Sequence, residues 1–464
     1  MRLFAPDDPR PVHFMGVAGA GMSALALVAR NRGIAVTGCD KDPESGGTAA
    51  SADMKRAGVV VTAGHDPSHV EGVRAVVVSS AVAHDHPELA RARELGIPVV
   101  RRAEALAAAV APGQLVAVAG THGKTTTTVM TTEALAAAGL NPTGIAGGRV
   151  SSWGGNARIG GDGLFVVEAD EYDKSFLALT PQVAVINNVE ADHLECYGNV
   201  AALEEAFAKF ASPARRVIVG GDDPGAIRVS GQLSRPTWTV GFGPEADVRV
   251  QIVERAAGRT VATVALPMGQ MVELRLRVPG MHNVRNASAA LAVGAELGAD
   301  LDPVLGALAG FRGVGRRFDL VGDAGGVVVV DDYAHHEAEI AATLEAARQA
   351  YPGRRIVAVF QPHLFSRTAE HGALMGKVLA AWADLVVVTD VYAAREQPIA
   401  GVTGRLVADA AQAEGAEVRW VPNRDLLAGD LASIAKPGDV ILTMGAGDIT
   451  WVGRELVGML AARR

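Results

Sequence analysis

Residues 115–128 read LVAVAGTHGKTTTT, and this stretch decides how the chain around it folds. Apolar residues form a short buried strand, the turn after it contains Gly120 and Gly123, and Lys124 precedes a run of threonines that opens a helix. This order predicts a phosphate cradle, because backbone N–H groups and the positive end of the helix face the same anion. Lys124 is expected to reach the terminal phosphates, and Thr125 to place its hydroxyl on a bound Mg²⁺.

The turn departs from the usual nucleotide loop, G-x-x-x-x-G-K-[ST], because Val118 stands where the first glycine is expected. The alternative interpretation is a glycine- and threonine-rich turn whose lysine is solvated. Lysine is scarce in this chain, and the strand–turn–helix context favours nucleotide binding. The predicted nucleotide-binding residues are Gly120, Thr121, His122, Gly123, Lys124, Thr125 and Thr126.

The composition is that of a folded chain with several domains. At 464 residues, the chain is too long for one core and suggests about three domains. Hydrophobic residues make up 49% and charged residues 20%, which excludes the disordered class. The net charge of −8 gives no general attraction to nucleic acid or to an anionic membrane, so we expect neither as a partner.

Further features predict a cytoplasmic location. Cys39 and Cys196 are too few for a disulfide framework and suit a reducing compartment. The first residues lack the apolar core and cleavage site of a signal peptide. The sequence has no uninterrupted run of about 18 apolar residues, so no membrane span is predicted.

Strand-like and helix-like segments alternate along the chain, which predicts the α/β class with parallel sheets. Domain boundaries are expected after an alanine-rich stretch and before a pair of arginines, giving domains at 1–110, 111–314 and 315–464. Residues 238–278 alternate apolar and polar side chains. This alternation predicts a smaller antiparallel sheet, with one wet face, in the central domain.

The first glycine-rich turn along the chain, GVAGAGMS at 16–23, follows the first predicted strand. Gly16, Gly19 and Gly21 are spaced G-x-x-G-x-G, whereas the usual dinucleotide fingerprint is G-x-G-x-x-G. Asp40 ends the next strand. The pattern favours a diphosphate at a helix N-terminus but leaves open a dehydrogenase or a turn that serves only packing.

Acidic residues follow a strand beside the nucleotide loop. The segment EADEYD at 168–173 comes after the strand 164–167, so its carboxylates lie at the edge where α/β sheets bind ligands. Glu168 is the candidate Mg²⁺ ligand, because this ion takes oxygen ligands and needs few carboxylates when phosphates are present. His193 follows another strand, and imidazole is an unusual ligand for Mg²⁺, so the residues alone favour a structural role.

Polar clusters also mark the C-terminal third. His282 and Asn286, in the segment GMHNVRN, offer donors and acceptors for the edge of a base. Arg316 and Arg317 are candidates to neutralise a transferring phosphoryl group. Arg367 is a candidate clamp for a carboxylate.

The ordered motifs together resemble those of the Mur ligases of bacterial cell-wall synthesis. They read HFMGVAGAGMS at 13–23, GTHGKTTTT at 120–128, EADEYDKSFL at 168–177, ADHLECYG at 191–198, GMHNVRNA at 280–287, FRGVGRRFD at 311–319, DDYAHH at 331–336 and PHLFSRT at 362–368. The resemblance runs nearly end to end. It implies an N-terminal Rossmann-like domain for a UDP-sugar, a central P-loop ATPase domain, and a C-terminal Rossmann-like domain that closes over the site.

The resemblance also implies the reaction. An ATP-dependent ligase would join L-alanine to the lactyl carboxylate of UDP-N-acetylmuramate, as a step of peptidoglycan precursor synthesis. The carboxylate attacks the γ-phosphate of ATP, and the amine then displaces phosphate from the acyl phosphate. The implied cofactors are ATP and Mg²⁺, and the enzyme is expected to be a monomer or a homodimer.

Individual roles follow from the resemblance residue by residue. Glu168 would bridge two Mg²⁺ ions, with Thr125 on the first and His193 on the second. Adenine would lie against His282 and Asn286. The residues implied in catalysis are Lys124, His193, Arg316, Arg317, His336 and Arg367.

Substrate contacts are implied in the same way. Asp332 would hold the ribose of ATP, and His335, His336 and Arg367 would lie near the amino acid. The residues implied in UDP-sugar binding are Gly16, Gly19, Gly21, Met22, Ser23 and Asp40. Leu364 and Glu337 depart from the family patterns PHRYTRT and HHPTE, near the expected amino-acid pocket.

Several alternatives stay open at this point. A ligase of the same fold could attach a preformed murein tripeptide to UDP-N-acetylmuramate, and EADEYD would suit it. An NAD-dependent dehydrogenase built on the first glycine-rich turn would leave GTHGKTTTT without a role. A nucleotide-switched binding protein would hydrolyse ATP without needing an amino acid.

Overall fold

The computed structural model describes residues 3–5, 7–41, 48–79, 82–394 and 396–462. It contains three β-sheets with helices between their strands, so the predicted α/β class is confirmed. One compact unit comprises residues 1–251, 262–274 and 285–310, and the other comprises 252–261, 275–284 and 311–464. The two boundaries between the three predicted domains stay predictions. No helix in the described ranges is long and apolar enough to cross a lipid bilayer.

The first sheet is parallel and has the strand order β3-β2-β1-β4-β5. Its strands are β1 (Val12–Met15), β2 (Val36–Asp40), β3 (Val60–Ala63), β4 (Ala75–Val78) and β5 (Val99–Arg101). Its helices are α1 (Ala20–Asn31), α2 (Thr48–Arg56), α3 (Pro87–Glu94) and α4 (Arg102–Val110). Met15 pairs with Cys39, so the turn 16–19 and Asp40 leave the sheet at the same edge. Doubly wound sheets bind ligands at this edge, near the strand where the order reverses.

The second sheet has ten strands in the order β15-β14-β13-β12-β11-β10-β6-β9-β7-β8. The strands are β6 (Gln114–Ala119), β7 (Thr143–Val150), β8 (Gly155–Arg158), β9 (Leu164–Glu168), β10 (Val183–Ile186), β11 (Arg216–Gly220), β12 (Thr237–Gly241), β13 (Val248–Ala256), β14 (Arg259–Ala265) and β15 (Met271–Leu276). The helices of this region are α5 (Lys124–Ala137), α6 (Leu194–Tyr197), α7 (Val200–Ala211), α8 (Pro224–Ser230), α9 (Met281–Glu296) and α10 (Leu301–Gly310). Val118 pairs with Glu168 on one side and Val185 on the other. The ends of β9 and β10 therefore flank the nucleotide loop.

The smaller sheet predicted for 238–278 is continuous with the parallel one. The prediction of antiparallel pairing is wrong for β12, which runs parallel to both β11 and β13. Alternation reports one wet face but does not report strand direction, and this is why the error arose. Only two residues join β13 to β14, and a connection this short requires an antiparallel hairpin.

The third sheet has the order β16-β17-β21-β18-β19-β20. Its strands are β16 (Asp319–Ala324), β17 (Val327–Asp332), β18 (Ile356–Phe360), β19 (Leu385–Val388), β20 (Val418–Trp420) and β21 (Val440–Met444). Its helices are α11 (Glu337–Ala350), α12 (Phe365–Trp382), α13 (Arg405–Ala413), α14 (Leu427–Ile434) and α15 (Thr450–Ala461). Among the described strands of this sheet, only β16 runs antiparallel to its neighbour. Successive valines of β17 belong to cores on opposite faces, so the sheet is covered on both sides.

Candidate active site

The nucleotide loop is closely packed around its two glycines. Gly120 has φ +137° and Gly123 has φ +78°, backbone conformations that favour glycine. A Cβ on Gly120 would lie 3.0 Å from Cβ of Asn187, and one on Gly123 would lie 2.7 Å from Oδ1 of Asn286. Both glycines are therefore required by backbone angle and by space, and helix α5 begins directly after Gly123.

Lys124 is held against the loop by the backbone and by Glu171. Its Nζ donates to the carbonyls of Gly120 (2.7 Å) and Thr121 (3.1 Å) and to Oε1 of Glu171 (2.8 Å). Burial lowers the pKa of the ammonium, but the nearby carboxylates, above all Glu171, outweigh burial and raise it. Lys124 therefore keeps its positive charge in a water-poor site, where charge acts strongly on an anion.

Hard oxygen donors gather beside the lysine. The Thr125 hydroxyl donates to Oε1 of Glu168 over 3.0 Å, and the backbone N–H of Gly147 donates to Oε2 of the same carboxylate. A Cβ on Gly147 would lie 2.6 Å from the Glu168 carboxylate, so a larger residue there would displace that side chain. A hydroxyl and a carboxylate are the donor types that Mg²⁺ prefers, and these residues fit the predicted ion.

Two asparagines after β10 brace the opposite side of the loop. The backbone N–H of His122 donates to Oδ1 of Asn188 over 2.7 Å. Asn187 Nδ2 donates to the His122 carbonyl (3.2 Å) and to the Thr127 hydroxyl (3.1 Å). The loop is thus fixed by side chains from a neighbouring strand, in addition to its own helix.

His193 lies apart from the Thr125–Glu168 pair. It has φ +53° and precedes α6, and its ring contacts Asp192 (3.7 Å), Glu195 (3.5 Å) and the Tyr172 ring (5.0 Å between centroids). Among the described residues it makes no hydrogen bond or ion pair with either predicted metal ligand. Its role as a second metal ligand stays a prediction.

The two residues predicted to hold adenine occupy the start of helix α9. Asn286 is buried, and its Oδ1 packs against Gly123, which joins the helix to the nucleotide loop. His282 lies one turn earlier, with its ring packed over Gly280, whose φ is +94°. The structure therefore places Asn286 at the loop, one helical turn from His282.

The first glycine-rich turn brings its predicted residues to one edge of the first sheet. The N–H groups of Gly16 and Val17 donate to the carbonyl of Cys39 over 2.8 and 3.1 Å. The Ala18 N–H donates to Oδ2 of Asp40 over 2.9 Å. Gly21, Met22 and Ser23 lie in the first turn of α1. A carboxylate from the next strand thus braces the turn, much as the asparagines brace the nucleotide loop.

Arg316 is committed to a local network in the C-terminal unit. Its φ is +60°, and its guanidinium donates to the carbonyls of Gly445 (2.6 Å) and Gly447 (3.2 Å) and to Asp331 (3.3 Å). Arg317 forms a longer ion pair with Glu339, at 3.7 Å. In this arrangement Arg316 fixes the loop after β21.

Asp332 also supports this turn. Its carboxylate accepts hydrogen bonds from the N–H groups of Phe318 (2.7 Å) and Ala334 (2.8 Å). Burial raises the pKa of Asp332 to about 6, against the opposing effect of Arg317. The residue predicted to hold ribose is therefore buried, with both oxygens engaged by the backbone.

The residues expected near the amino acid surround the start of α11 and α12. His336 is buried, and its Nε2 lies 3.4 Å from Oε2 of Glu337, while Nδ1 of His371 lies 3.3 Å from Oε1 of that carboxylate. His335 contacts Glu339 at 3.2 Å. Arg367 lies half-buried in the first turn of α12. Glu337, the departure from the family pattern, thus sits between two histidines.

Sequence reasoning missed four residues that build the nucleotide site. They are Gly147, Glu171, Asn187 and Asn188. Glu171 stands in the segment EADEYD and the two asparagines directly follow β10, and this position at a strand end was the only signal available. Pairing them with Lys124 and His122 requires the strand order β10-β6-β9-β7, which the sequence does not display.

Three family models match the chain in order. The "Mur ligase family, catalytic domain" matches residues 11–113, the "Mur ligase middle domain" matches 118–294, and the "Mur ligase, glutamate ligase domain" matches 316–447. With the full-length relative described next, these matches show that the chain belongs to the Mur ligase family. The predicted family is confirmed.

Particular relatives agree along their whole length. The chain is 46% identical to the UDP-N-acetylmuramate–L-alanine ligase of Kineococcus radiotolerans, over 97% of this chain and 96% of that protein. The crystal structure of the UDP-N-acetylmuramate–alanine ligase of Thermotoga maritima matches with a TM-score of 0.83 and 31% identity, covering 98% of this chain and 100% of that one. A murein peptide ligase of Psychrobacter arcticus shares the fold, with a TM-score of 0.72 and 24% identity over 97% and 99% of the two chains.

Proposed function

We propose that this protein is an ATP-dependent ligase that joins L-alanine to the lactyl carboxylate of UDP-N-acetylmuramate, in peptidoglycan precursor synthesis. The observation that carries this function is full-length similarity to ligases with this name, together with a nucleotide loop built around a half-buried, charged Lys124. The proposed place of action is the cytoplasm, where this precursor chemistry would meet ATP.

The nucleotide loop would position ATP for attack. Backbone N–H groups of the loop and the N-terminus of α5 would receive the phosphates, and Lys124 would turn from Glu171 towards the terminal phosphate. Thr125 and Glu168 would hold Mg²⁺, which would offset the negative charge of the triphosphate. Phosphoryl transfer needs chiefly positioning and charge neutralisation, and this loop supplies both.

The two substrates would add in sequence. The lactyl carboxylate attacks the γ-phosphorus, the bond to the β-phosphate oxygen breaks, and ADP leaves. The neutral amine of L-alanine then attacks the acyl carbon, and inorganic phosphate leaves as the amide forms. The turn at Gly16–Ser23 and Asp40 are proposed to hold the UDP moiety, and Arg317, His336 and Arg367 to serve the later steps.

The test is phosphate release from ATP with each substrate omitted in turn. Release is expected only when UDP-N-acetylmuramate and an amino acid are both present, with L-alanine preferred over glycine and L-serine. A preformed murein tripeptide in place of L-alanine tests the rival ligase, and NAD with UDP-N-acetylmuramate tests the dehydrogenase. Release that persists without either substrate, or that requires the tripeptide, would reject the proposed function.

A further inference from the structure

The first sheet encloses a group of potential metal ligands that the ligase reaction does not use. His13 on β1, Cys39 on β2, His69 on the short helix Pro67–Val70 and Glu88 on α3 each direct one donor atom to a common point, with all four atoms within 4.8 Å of one another. We refer to these four residues as the His–Cys cluster. They come from four separate elements, so their convergence is a product of the tertiary fold.

Adjacent donor atoms lie 2.8–3.3 Å apart, slightly closer than the ligands of a tetrahedral ion. Nε2 of His13 lies 3.3 Å from Sγ of Cys39, and that sulfur lies 3.3 Å from Oε2 of Glu88. Nδ1 of His69 lies 2.8 Å from Oε1 of the same carboxylate. Bonds of about 2.0 to 2.3 Å from zinc to nitrogen, oxygen and sulfur place neighbouring ligands about 3.5 Å apart in a tetrahedron.

The charge of the cluster also calls for a cation. Glu88 is fully buried, and within the described ranges its only ion-pair partners are histidines, His65, His69 and His86. A buried anion without lysine or arginine beside it is costly, and a bound metal ion would compensate it.

The histidine on β1 is prepared for ligation. His13 is 1% exposed. Its Nδ1 lies 2.9 Å from the Thr37 hydroxyl, which fixes the ring with Nε2 facing Cys39. Metal-binding histidines are commonly oriented by such a bond from the second ring nitrogen.

Two partly exposed histidines lie beside the cluster. The rings of His65 and His86 stack edge to face, 4.8 Å apart, and their side chains are 26% and 21% exposed. Nδ1 of His65 lies 3.2 Å from both Cys39 Sγ and Glu88 Oε2. An ion passing this pair would therefore meet imidazole nitrogen before it reaches the buried ligands.

We propose that the His–Cys cluster binds one zinc-class divalent ion, with His13, Cys39, His69 and Glu88 as ligands. Nitrogen, thiolate and carboxylate donors together suit zinc and exclude magnesium. Binding breaks the S–H bond of Cys39, forms the metal–sulfur bond and releases one proton to solvent. The ion would tie β1 and β2 to α3 and stabilise the first sheet.

The experiment uses the full-length chain, stripped with chelator and titrated with Co²⁺ in excess Mg²⁺. One equivalent is expected to produce a thiolate-to-Co²⁺ charge-transfer band and release one proton, and Zn²⁺ should displace the ion and raise the thermal midpoint. Cys39→Ser should abolish the band, and His69→Gln should weaken Zn²⁺ binding by at least about 100-fold, more than loss of a typical outer partner. Cys196→Ser, which removes the other free cysteine, is the matched control and should bind as the parent does.

Three results would overturn the proposal. The first is no thiolate band at one equivalent of Co²⁺, and the second is a band lost in Cys196→Ser but kept in Cys39→Ser. The third is equal Zn²⁺ affinity in the parent and His69→Gln, which would place the ion elsewhere, for example between His336, Glu337 and His371. Since His69 is partly exposed, its substitution reports on binding even if Cys39→Ser fails to fold.

Discussion

The two glycine-rich turns of the first compact unit share a strand–turn–helix plan but are stiffened to different degrees. Side chains from three other segments crowd the turn at Gly120–Lys124, including Asn187, Glu171 and Asn286. The turn at Gly16–Ser23 is held mainly by backbone bonds to Cys39 and by Asp40, and a Cβ on Gly16 would meet nothing within 4 Å. A loop that aligns a phosphoryl group for transfer needs fixed geometry, whereas a loop that binds a diphosphate tolerates more play.

The largest difference between the two turns is expected from Lys124, because the turn at Gly16–Ser23 contains no lysine. Lys124→Ala removes this cation and should lower kcat about 10²- to 10³-fold, the range seen when a group that stabilises transition-state charge is lost. Binding of UDP-N-acetylmuramate, measured by calorimetry, should stay near the parent value because that site is proposed on the first sheet. Lys174→Ala, which changes an exposed lysine near the site, is the matched control and should keep full activity. Parallel loss of sugar binding and turnover would contradict the separation of the two turns.

Glycine substitution compares the two turns directly. Gly123→Ala combines φ +78° with a contact 2.7 Å from Asn286, so we expect the KM for ATP to rise about 100-fold through misplaced phosphates. Gly16→Ala meets only the backbone cost of φ +70°, about 1–2 kcal/mol. It should weaken UDP-sugar binding modestly and leave the KM for ATP unchanged. Equal effects of the two variants on ATP would show that crowding does not distinguish the turns.

The acid partner of the lysine gives a pH signature. Glu171 is the largest charge effect that raises the pKa of Lys124, whereas burial lowers it. Glu171→Gln leaves burial unopposed by this carboxylate, so before ATP binds the ammonium should lose its proton at lower pH. The alkaline limb of the kcat/KM profile for ATP, which reports the free enzyme, should therefore move to lower pH. Glu205→Gln, on the exposed face of α7, is the control. An alkaline limb that stays in place would mean that Lys124 does not depend on Glu171.

The smallest effects are expected from Asn188 and Asp40, the side chains that accept hydrogen bonds from the backbone of the two turns. Asn188→Ala removes the acceptor for the His122 N–H, and Asp40→Ala removes the acceptor for the Ala18 N–H. Each loss should cost about 1–3 kcal/mol at its own turn. The first should raise the KM for ATP and the second the Kd for UDP-N-acetylmuramate, each about tenfold. Steady-state kinetics and calorimetry on both variants measure the two constants. A higher KM for ATP in Asp40→Ala, or a higher Kd for UDP-N-acetylmuramate in Asn188→Ala, would contradict the assignment of one ligand to each turn.

Local chemistry could be predicted from the sequence where a single segment carries it. Gly120, Gly123 and Lys124 were predicted to form one loop because they stand together at a strand end, and the structure places them in one loop. Thr125 and Glu168 each follow a strand, and their contact joins two such strand ends. Gly147 and Asn188 could not be assigned, since their roles arise from strands that are neighbours in the sheet but distant in the chain. The direction of β12 was predicted wrongly because alternation of apolar and polar side chains does not show whether the neighbouring strand is parallel or antiparallel.

The arginine pair shows a second limit of sequence reasoning. Arg316 and Arg317 were predicted together as groups for a phosphoryl transfer, and charge alone does not separate them. The structure commits the Arg316 guanidinium to the carbonyls of Gly445 and Gly447, while Arg317 keeps a longer ion pair with Glu339. A sequence does not show which backbone carbonyls a side chain will contact, so the different roles of Arg316 and Arg317 become visible only in the folded structure.

The central claim is that a sugar-borne carboxylate receives the γ-phosphoryl group of ATP. Its most direct test uses UDP-N-acetylmuramate labelled with ¹⁸O in both carboxyl oxygens, with ATP and L-alanine, and mass analysis of the phosphate released. The account predicts one ¹⁸O atom in each phosphate, because the attacking carboxyl oxygen leaves with phosphorus when the amine displaces it. Amide product accompanied by unlabelled phosphate would contradict transfer to the carboxylate.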